Sequence, residues 1–290
     1  MTLTTRATAM LVRGRLRLAL AVAGGGLAPR APVAAMGLRF PNPVGLAAGA
    51  DKDGGIGVRA GGCGFGFVEV GTLTACPEGI NPGVAAFAAQ QERRAAAPHA
   101  DTILGVSIGL NTGTPLAQAA RDLRHCLRCV APLADYVCIN LTSRAARPLH
   151  EARHGEALHE IIAALAQERE RLSGALGRRL PLAVKFALPA GAQPLPPTAY
   201  WAMACGCDGL VAVTAAGPAP ADPCASLRAL SEAAGPDAAI ISVGGIRTVR
   251  HALERLGAGA RLVQLYGAIA TRGPGLARAI AAGAACALTA

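Results

Sequence analysis

Short apolar runs recur along this chain at Val44–Ala48, Phe67–Val70, Ile103–Ile108, Tyr136–Asn140, Leu182–Phe186, Leu210–Thr214, Ile240–Val243 and Leu262–Tyr266. Most are continuous rather than alternating, the pattern of a strand buried on both faces. Between most of them apolar positions return at helical spacing, clearest over Leu116–Val130, Ala157–Leu172, Ala225–Ala234 and Val249–Leu256. Strands separated by helices predict a parallel sheet, and eight of them is the number that closes a barrel. The predicted fold is therefore α/β, a (β/α)8 TIM barrel. An open doubly wound sheet is the competing pattern, but the first strand-to-helix turn lacks its G-x-G-x-x-G signature.

Two stretches break the alternation. Cys76–Ala100 carries P-E-G-I-N-P-G and then an Ala/Arg-rich run, which reads as a loop or small excursion above the barrel mouth. Ala190–Pro197 is rich in proline and reads as a loop. Residues 1–35 form a basic N-terminal extension, with the barrel occupying residues 36–290. Arg13, Arg15 and Arg17 interrupt the apolar residues between Met10 and Leu27, so this stretch is too short and too charged to span a bilayer. It fits an amphipathic segment on a membrane surface or a plain helix packed on the barrel. Its likeness to a signal peptide is faint.

Composition narrows the class. A hydrophobic content of 52% against 16% charged residues supplies a core and argues against disorder. Aromatic residues make up only 3%, which disfavours nucleic-acid binding by base stacking. The net charge of +10 is almost all arginine and by itself does not choose between anionic partners. The 9 cysteines mostly sit in or beside apolar runs, as small buried residues do, which fits a reducing compartment. Cys126 and Cys129 form a lone C-x-x-C without a second pair, so no metal site is expected.

The candidate chemistry starts at Asn42–Gly54, N-P-V-G-L-A-A-G-A-D-K-D-G, where an apolar run ends at Gly49 and delivers Lys52 just beyond its tip. Of 28 basic residues only Lys52 and Lys185 are lysines. Both follow or end strand-like runs, and barrel active sites gather at strand tips. A lysine kept where arginine has taken every other basic position suggests a need for a compact ammonium. Near the C-terminus, I-I-S-V-G-G-I ends a strand at Gly244-Gly245, and Thr248 opens a helix. Backbone N–H groups without a Cβ in the way, beside a helix N-terminus, suit a phosphate. The next tip carries Tyr266 and Gly267, and the last two strands of such barrels often hold a phosphate.

Together these motifs resemble the dihydroorotate dehydrogenases, in particular the class 2, membrane-associated, quinone-using branch. The resemblance runs from about Met36 onward and is most specific in M-G-L-R-F-P-N-P-V-G-L-A-A-G-A-D-K-D-G, G-F-G-F-V-E-V-G-T-L-T and A-G-A-R-L-V-Q-L-Y. It implies FMN at the C-terminal mouth of the barrel, lined by Ala47, Ala48, Gly49, Thr72 and Thr214. Gly244, Gly245, Tyr266 and Gly267 would surround its phosphate. Lys185 would stabilise the charge of the reduced flavin, Lys52 would contact the substrate, and Asn140 would serve both ligands. Ser143, in N-L-T-S-R-A-A-R, matches the serine that takes the C5 proton of dihydroorotate. Read without the family, Ser143 is a turn hydroxyl capping the next helix.

The sequence departs from the family pattern on the pyrimidine side. Arg144 and Ala145 replace the Pro-Asn of N-x-S-S-P-N-T. Val213-Thr214-Ala215-Ala216 stands for T-N-T-T, and Ser107 replaces the asparagine of G-V-N-I-G-K-N. The I-N-R-x-G-F-N loop is missing between Gly83 and Ala100, and G-G-L-S-G is missing from Gly217–Cys224. Each lost amide contact weakens substrate binding by about 1 kcal/mol. Three readings stay open: a divergent FMN- and quinone-dependent dihydroorotate dehydrogenase of pyrimidine biosynthesis, a non-catalytic FMN barrel acting as a binding or scaffold protein, and a flavin barrel acting on RNA. The last lacks the cysteine of the tRNA-dihydrouridine synthases, so nucleic acid is not expected. The first implies a cytoplasmic protein, peripheral on the inner face of the cell membrane through its N-terminus.

Overall fold

The eight apolar runs form the strands of a closed barrel in the computed structural model of the protein, which describes residues 3–22, 29–92, 101–151, 154–188, 194–214 and 222–289. They are β3 (Val44–Leu46), β4 (Phe67–Leu73), β5 (Ile103–Ile108), β6 (Tyr136–Asn140), β7 (Leu182–Leu188), β8 (Gly209–Thr214), β9 (Ala239–Val243) and β10 (Leu262–Leu265). Each pairs in parallel with the next, and Val263 opposite Val44 closes β10 onto β3. The barrel strands follow the chain order, as short right-handed crossovers require.

The predicted helices are α3 (Leu116–Val130), α4 (Gly155–Leu176), α6 (Pro223–Ala234) and α7 (Val249–Gly257). The apolar face of α3 is Ala119, Leu123, Cys126, Leu127 and Val130, all buried. Cys126 thus belongs to the core, where burial pushes its thiol up to about 12. Asp222 and Thr248 cap α6 and α7 by accepting N–H groups of Cys224 and His251. Periodicity alone did not mark α5 (Pro197–Ala204), α8 (Gly267–Arg272) or α9 (Gly275–Thr289). The Cys76–Ala100 excursion contains α2 (Val84–Glu92), with 93–100 outside the described residues. Ala190–Gln193 of the proline-rich loop and 215–221, which include Ala215 and Ala216, also lie outside them.

The alternation starts earlier than the apolar runs imply. An antiparallel hairpin, β1 (Val33–Ala35) and β2 (Leu38–Phe40), precedes the barrel and turns at Met36-Gly37, both at positive φ. Three-residue strands carry too little pattern to be read from sequence. Ala35, Met36 and Phe40 plug the N-terminal end of the barrel against Phe67, Tyr136, Ala183 and Leu262. Above this plug the interior is filled by large side chains facing glycines. A Cβ on Gly45 would run into the Phe67 ring, and one on Gly105 into Tyr136.

The next inward layer is polar: Glu69 on β4, Ser107 on β5, Lys185 on β7 and Gln264 on β10 are all buried. The period-2 geometry of strands sets this layer two residues above the aromatic one, facing the C-terminal rim.

Residues Leu3–Val22 form α1, which packs Ala9, Val12 and Leu16 inward and leaves Met10, Leu11 and Leu18 exposed. Among the described residues no helix is long and apolar enough to cross a membrane.

Candidate active site

At the C-terminal rim a cavity of 1610 Å³ opens over the polar layer. Ala47, Ala48, Gly49, Lys52, Thr72, Asn140, Ser143, Lys185, Gly244, Gly245, Tyr266 and Gly267 all line it. Residues drawn from six strands or the loops that follow them, and from positions as distant as Ala47 and Gly267, thus share one space, which only barrel closure brings about. Thr214 is the exception. It is buried behind the Gly244-Gly245 turn, where its hydroxyl donates to the Gly244 carbonyl (3.1 Å) and accepts from Arg255 (3.2 Å).

Lys52 sits in a turn staked on both sides. The Asp51 carboxylate is fully buried and accepts the N–H groups of Ile56 (3.1 Å) and Gly57 (2.7 Å), while burial raises its pKa against those bonds. Asp53 accepts from Gly55 N–H (3.0 Å) and pairs with Arg13 of α1 (2.6 Å). Burial works against the charge on Asp53, but Arg13 holds its carboxyl below the usual value. The segment Thr8–Met10 and Arg13 of α1 therefore also edge the cavity.

Asn140 has a fixed orientation. Its Oδ1 accepts from Thr142 N–H (2.9 Å) and the Thr142 hydroxyl (2.8 Å), and its Nδ2 donates to Thr72 Oγ1 (2.6 Å). The backbone N–H of Thr142 can only donate, so the amide oxygen must face it and the NH₂ group must face Thr72. Thr72 in turn shares a hydrogen bond with Ser107 (3.3 Å). Ser143 Oγ accepts from Ala146 N–H (3.2 Å), the turn-capping arrangement, and still lines the cavity.

Below Lys185 lies a buried carboxylate that the motifs do not point to. Lys185 Nζ is 3.6 Å from Glu69 Oε1, while Glu69 Oε2 accepts from Gln264 Nε2 (2.9 Å) and the Tyr136 hydroxyl (3.2 Å). A signal was present: Glu69 and Gln264 are single polar residues inside the apolar runs F-V-E-V and L-V-Q-L. The far wall is a second missed set. Glu78 accepts from Thr112 and Asn111, and Asn81 donates to Thr74 (2.5 Å), all on the loops after β4 and β5.

The cavity lining is strongly cationic. Arg13, Lys52, Lys185, Arg247 and Arg272 line it, against one acidic lining residue, Glu78. With small residues at Ala47–Gly49 packed by Tyr266, the arrangement suits a large, flat, anionic ligand: the Tyr266 ring lies 3.4 Å from where a Gly49 Cβ would stand. A separate cavity of 820 Å³ at the opposite end, beside Met36, Arg179 and Asp208, contains none of the candidate residues.

Comparison with known proteins points the same way. A family profile described as dihydroorotate dehydrogenase matches residues 221–287. A protein named dihydroorotate dehydrogenase (quinone) from Azotobacter vinelandii is 34% identical over 285 residues, covering 85% of this chain and 82% of that one. One of the same name from Cellvibrio japonicus is 35% identical, covering 88% and 86%. Among solved structures, ligand-free DHODH from Eimeria tenella superposes with a TM-score of 0.77 at 28% identity, covering 94% of this chain and 92% of that one. The same enzyme in complex with ferulenol gives 0.75, also at 28% identity, with 93% and 89% covered.

Proposed function

The chain belongs to the quinone-dependent dihydroorotate dehydrogenase family, and on that premise we propose that its rim cavity binds FMN and oxidises dihydroorotate to orotate with a quinone as final acceptor. The observation that carries this reading is the meeting of the chain's two lysines, Lys52 and Lys185, with Asn140, Ser143 and the Gly244-Gly245 turn on one cavity.

The residues present fit FMN. Gly244 and Gly245 both adopt positive φ, and a Cβ on Gly244 would strike the Thr214 carbonyl, so the turn keeps its bare backbone. Its N–H groups, with Tyr266 and Gly267, would hold the phosphate. Ala47, Ala48, Gly49 and Thr72 would border the ring system. The chemistry this cofactor supplies is acceptance of hydride from C6 of the substrate and delivery of electrons to the quinone.

The chain's own groups do the rest. Lys185, buried and held by Glu69, would supply the positive charge that stabilises the reduced flavin. Lys52 attracts the substrate carboxylate as a charge-assisted donor. Asn140 keeps one N–H beyond the bond to Thr72 and can donate it to a ligand carbonyl. Ser143 provides the oxygen that takes the C5 proton, its rotamer held by Ala146 N–H. On the pyrimidine side Ala145 and Val213 offer no amide, which leaves Asn81, Asn140 and Gln264 as the carboxamides lining the cavity, Gln264 already bonded to Glu69, and implies a raised KM.

The reading extends to the extension of residues 1–35, which we assign to contact with a membrane surface on the cytoplasmic side, where a lipid-soluble quinone would be met. Exposed Met10, Leu11 and Leu18 beside Arg15 and Arg17 support it. Anaerobic addition of dihydroorotate to the flavin-loaded protein tests the core claim. The flavin absorbance should bleach, and an unchanged spectrum at millimolar substrate would refute it.

A further inference from the structure

Arg169, Lys185 and Arg255 are the buried cationic side chains among the described residues. Two of them have a carboxylate. Arg169 pairs with Asp208 at 2.6 Å, and Lys185 stands 3.6 Å from Glu69. Arg255, 5% exposed, makes no ion pair among the described residues: Asp222 and Glu254 act on it only from a distance, and its observed hydrogen bond is to a neutral hydroxyl, Thr214 Oγ1 at 3.2 Å. The loop that follows β8, 215–221, reads A-A-G-P-A-P-A and contains no acid to supply one. Burial pushes the guanidinium down from its ordinary value. A buried charge without a counter-charge in contact is costly, and such a group is stabilised when an anion arrives.

The place where that anion would arrive is set by the backbone. Arg255 lies on α7, and helical side chains lean toward the helix N-terminus, here the barrel rim. One guanidinium nitrogen comes within 3.5 Å of where a Gly245 Cβ would stand. The bond from Arg255 to Thr214 continues from the Thr214 hydroxyl to the Gly244 carbonyl (3.1 Å). In a trans peptide the N–H of Gly245 points opposite to that carbonyl, away from Thr214. Arg255 thus anchors the peptide whose N–H faces outward, and adds positive charge behind it.

We propose that Arg255 is a positioning and specificity residue for the phosphate of the bound flavin: the buried counter-charge, acting through Thr214 and the Gly244-Gly245 turn, that makes the cavity prefer a phosphomonoester over the uncharged nucleoside. This rests on the FMN reading above. It assigns to a core arginine, absent from the cavity wall, the discrimination between FMN and riboflavin.

The test is titration of the flavin-free protein with FMN and with riboflavin, following flavin fluorescence, and with inorganic phosphate, following the melting temperature. Arg255→Met should weaken FMN about tenfold to a hundredfold, as loss of a charge-assisted contact does, with riboflavin affinity unchanged. Arg255→Lys should restore most of the FMN preference. Phosphate should raise the melting temperature of the unaltered protein and of Arg255→Lys, but not of Arg255→Met. Equal weakening of both flavins in Arg255→Met would show a merely structural role and overturn the proposal, as would an undiminished phosphate response. If no flavin binds the unaltered protein, the functional reading fails, and the phosphate titration still decides the role of Arg255.

Discussion

Glu69 and Lys185 face each other across the inside of the barrel, from β4 and β7, with Nζ 3.6 Å from Oε1 and the carboxylate fully buried. Breaking a buried pair from one side leaves the other charge stranded, which costs about 3–5 kcal/mol. Glu69→Ala should lower the unfolding free energy by about that amount, measured by urea denaturation. Glu69→Gln, which can still accept from Tyr136 and Gln264, should lose less. Equal losses for the two variants would show that the stranded Lys185 charge accounts for the whole cost and the hydrogen bonds from Tyr136 and Gln264 for none of it.

Ser143 has a contact to Ala146 N–H and a position on the cavity wall. Ser143→Ala should therefore leave flavin content intact while reducing kcat by about 10²- to 10⁴-fold, the usual contribution of a positioned proton acceptor. A drop in bound flavin with unchanged kcat per flavin would contradict the assignment.

Lys52 stands between two anchored aspartates, so its place in the turn on the cavity wall is fixed. Lys52→Met should raise KM for dihydroorotate about tenfold to a hundredfold, as expected for a lost hydrogen bond to a charged group. Lys52→Arg should recover little, because a planar guanidinium does not replace a compact ammonium. Steady-state kinetics at varied substrate separates the two.

Gly45 faces the Phe67 ring inside the barrel, where no Cβ fits. Gly45→Ala should destabilise the protein by about 1–3 kcal/mol through overpacking, seen as a lower urea midpoint.

Glu168 on α4 accepts from Arg128 of α3 (2.8 Å) and from Arg171 (2.7 Å). The Arg128 hydrogen bond first, and then Arg171, lower its pKa from 4.5 to about 2, against a smaller effect of burial. A carboxyl depressed in the folded state stabilises fully above its unfolded value and loses that contribution as pH falls through the folded one. The unaltered protein should therefore unfold at higher urea than Glu168→Gln at pH 7. The gap should narrow below pH 4.5 and close near pH 2. Both arginines are largely exposed, so added salt should shrink it.

How far the sequence could be read depended on how much each element relies on its own residues. β5, β6 and α3 end where the apolar pattern ends, because continuous burial and helical spacing are local properties. The β1–β2 hairpin escaped notice because its three-residue strands make sense only as a plug under Phe67 and Tyr136. Motif position assigns Thr214 to the flavin wall, yet it lies behind the glycine turn, since a one-step difference along a strand reverses the side a residue faces.

By itself the sequence determined the strand-and-helix alternation, the small-residue and lysine-bearing tip after β3, and the glycine turn after β9, because each is a property of contiguous residues. The tertiary structure alone decided that Lys52 and Lys185 open on one cavity, that Glu69 lies beneath Lys185, and that Arg13 of α1 holds Asp53. It also decided that Arg255 is buried behind the turn it supports. Those relationships join residues far apart in the chain. They exist only once β10 has paired with β3 and the ring of strands has fixed which side chains face one another.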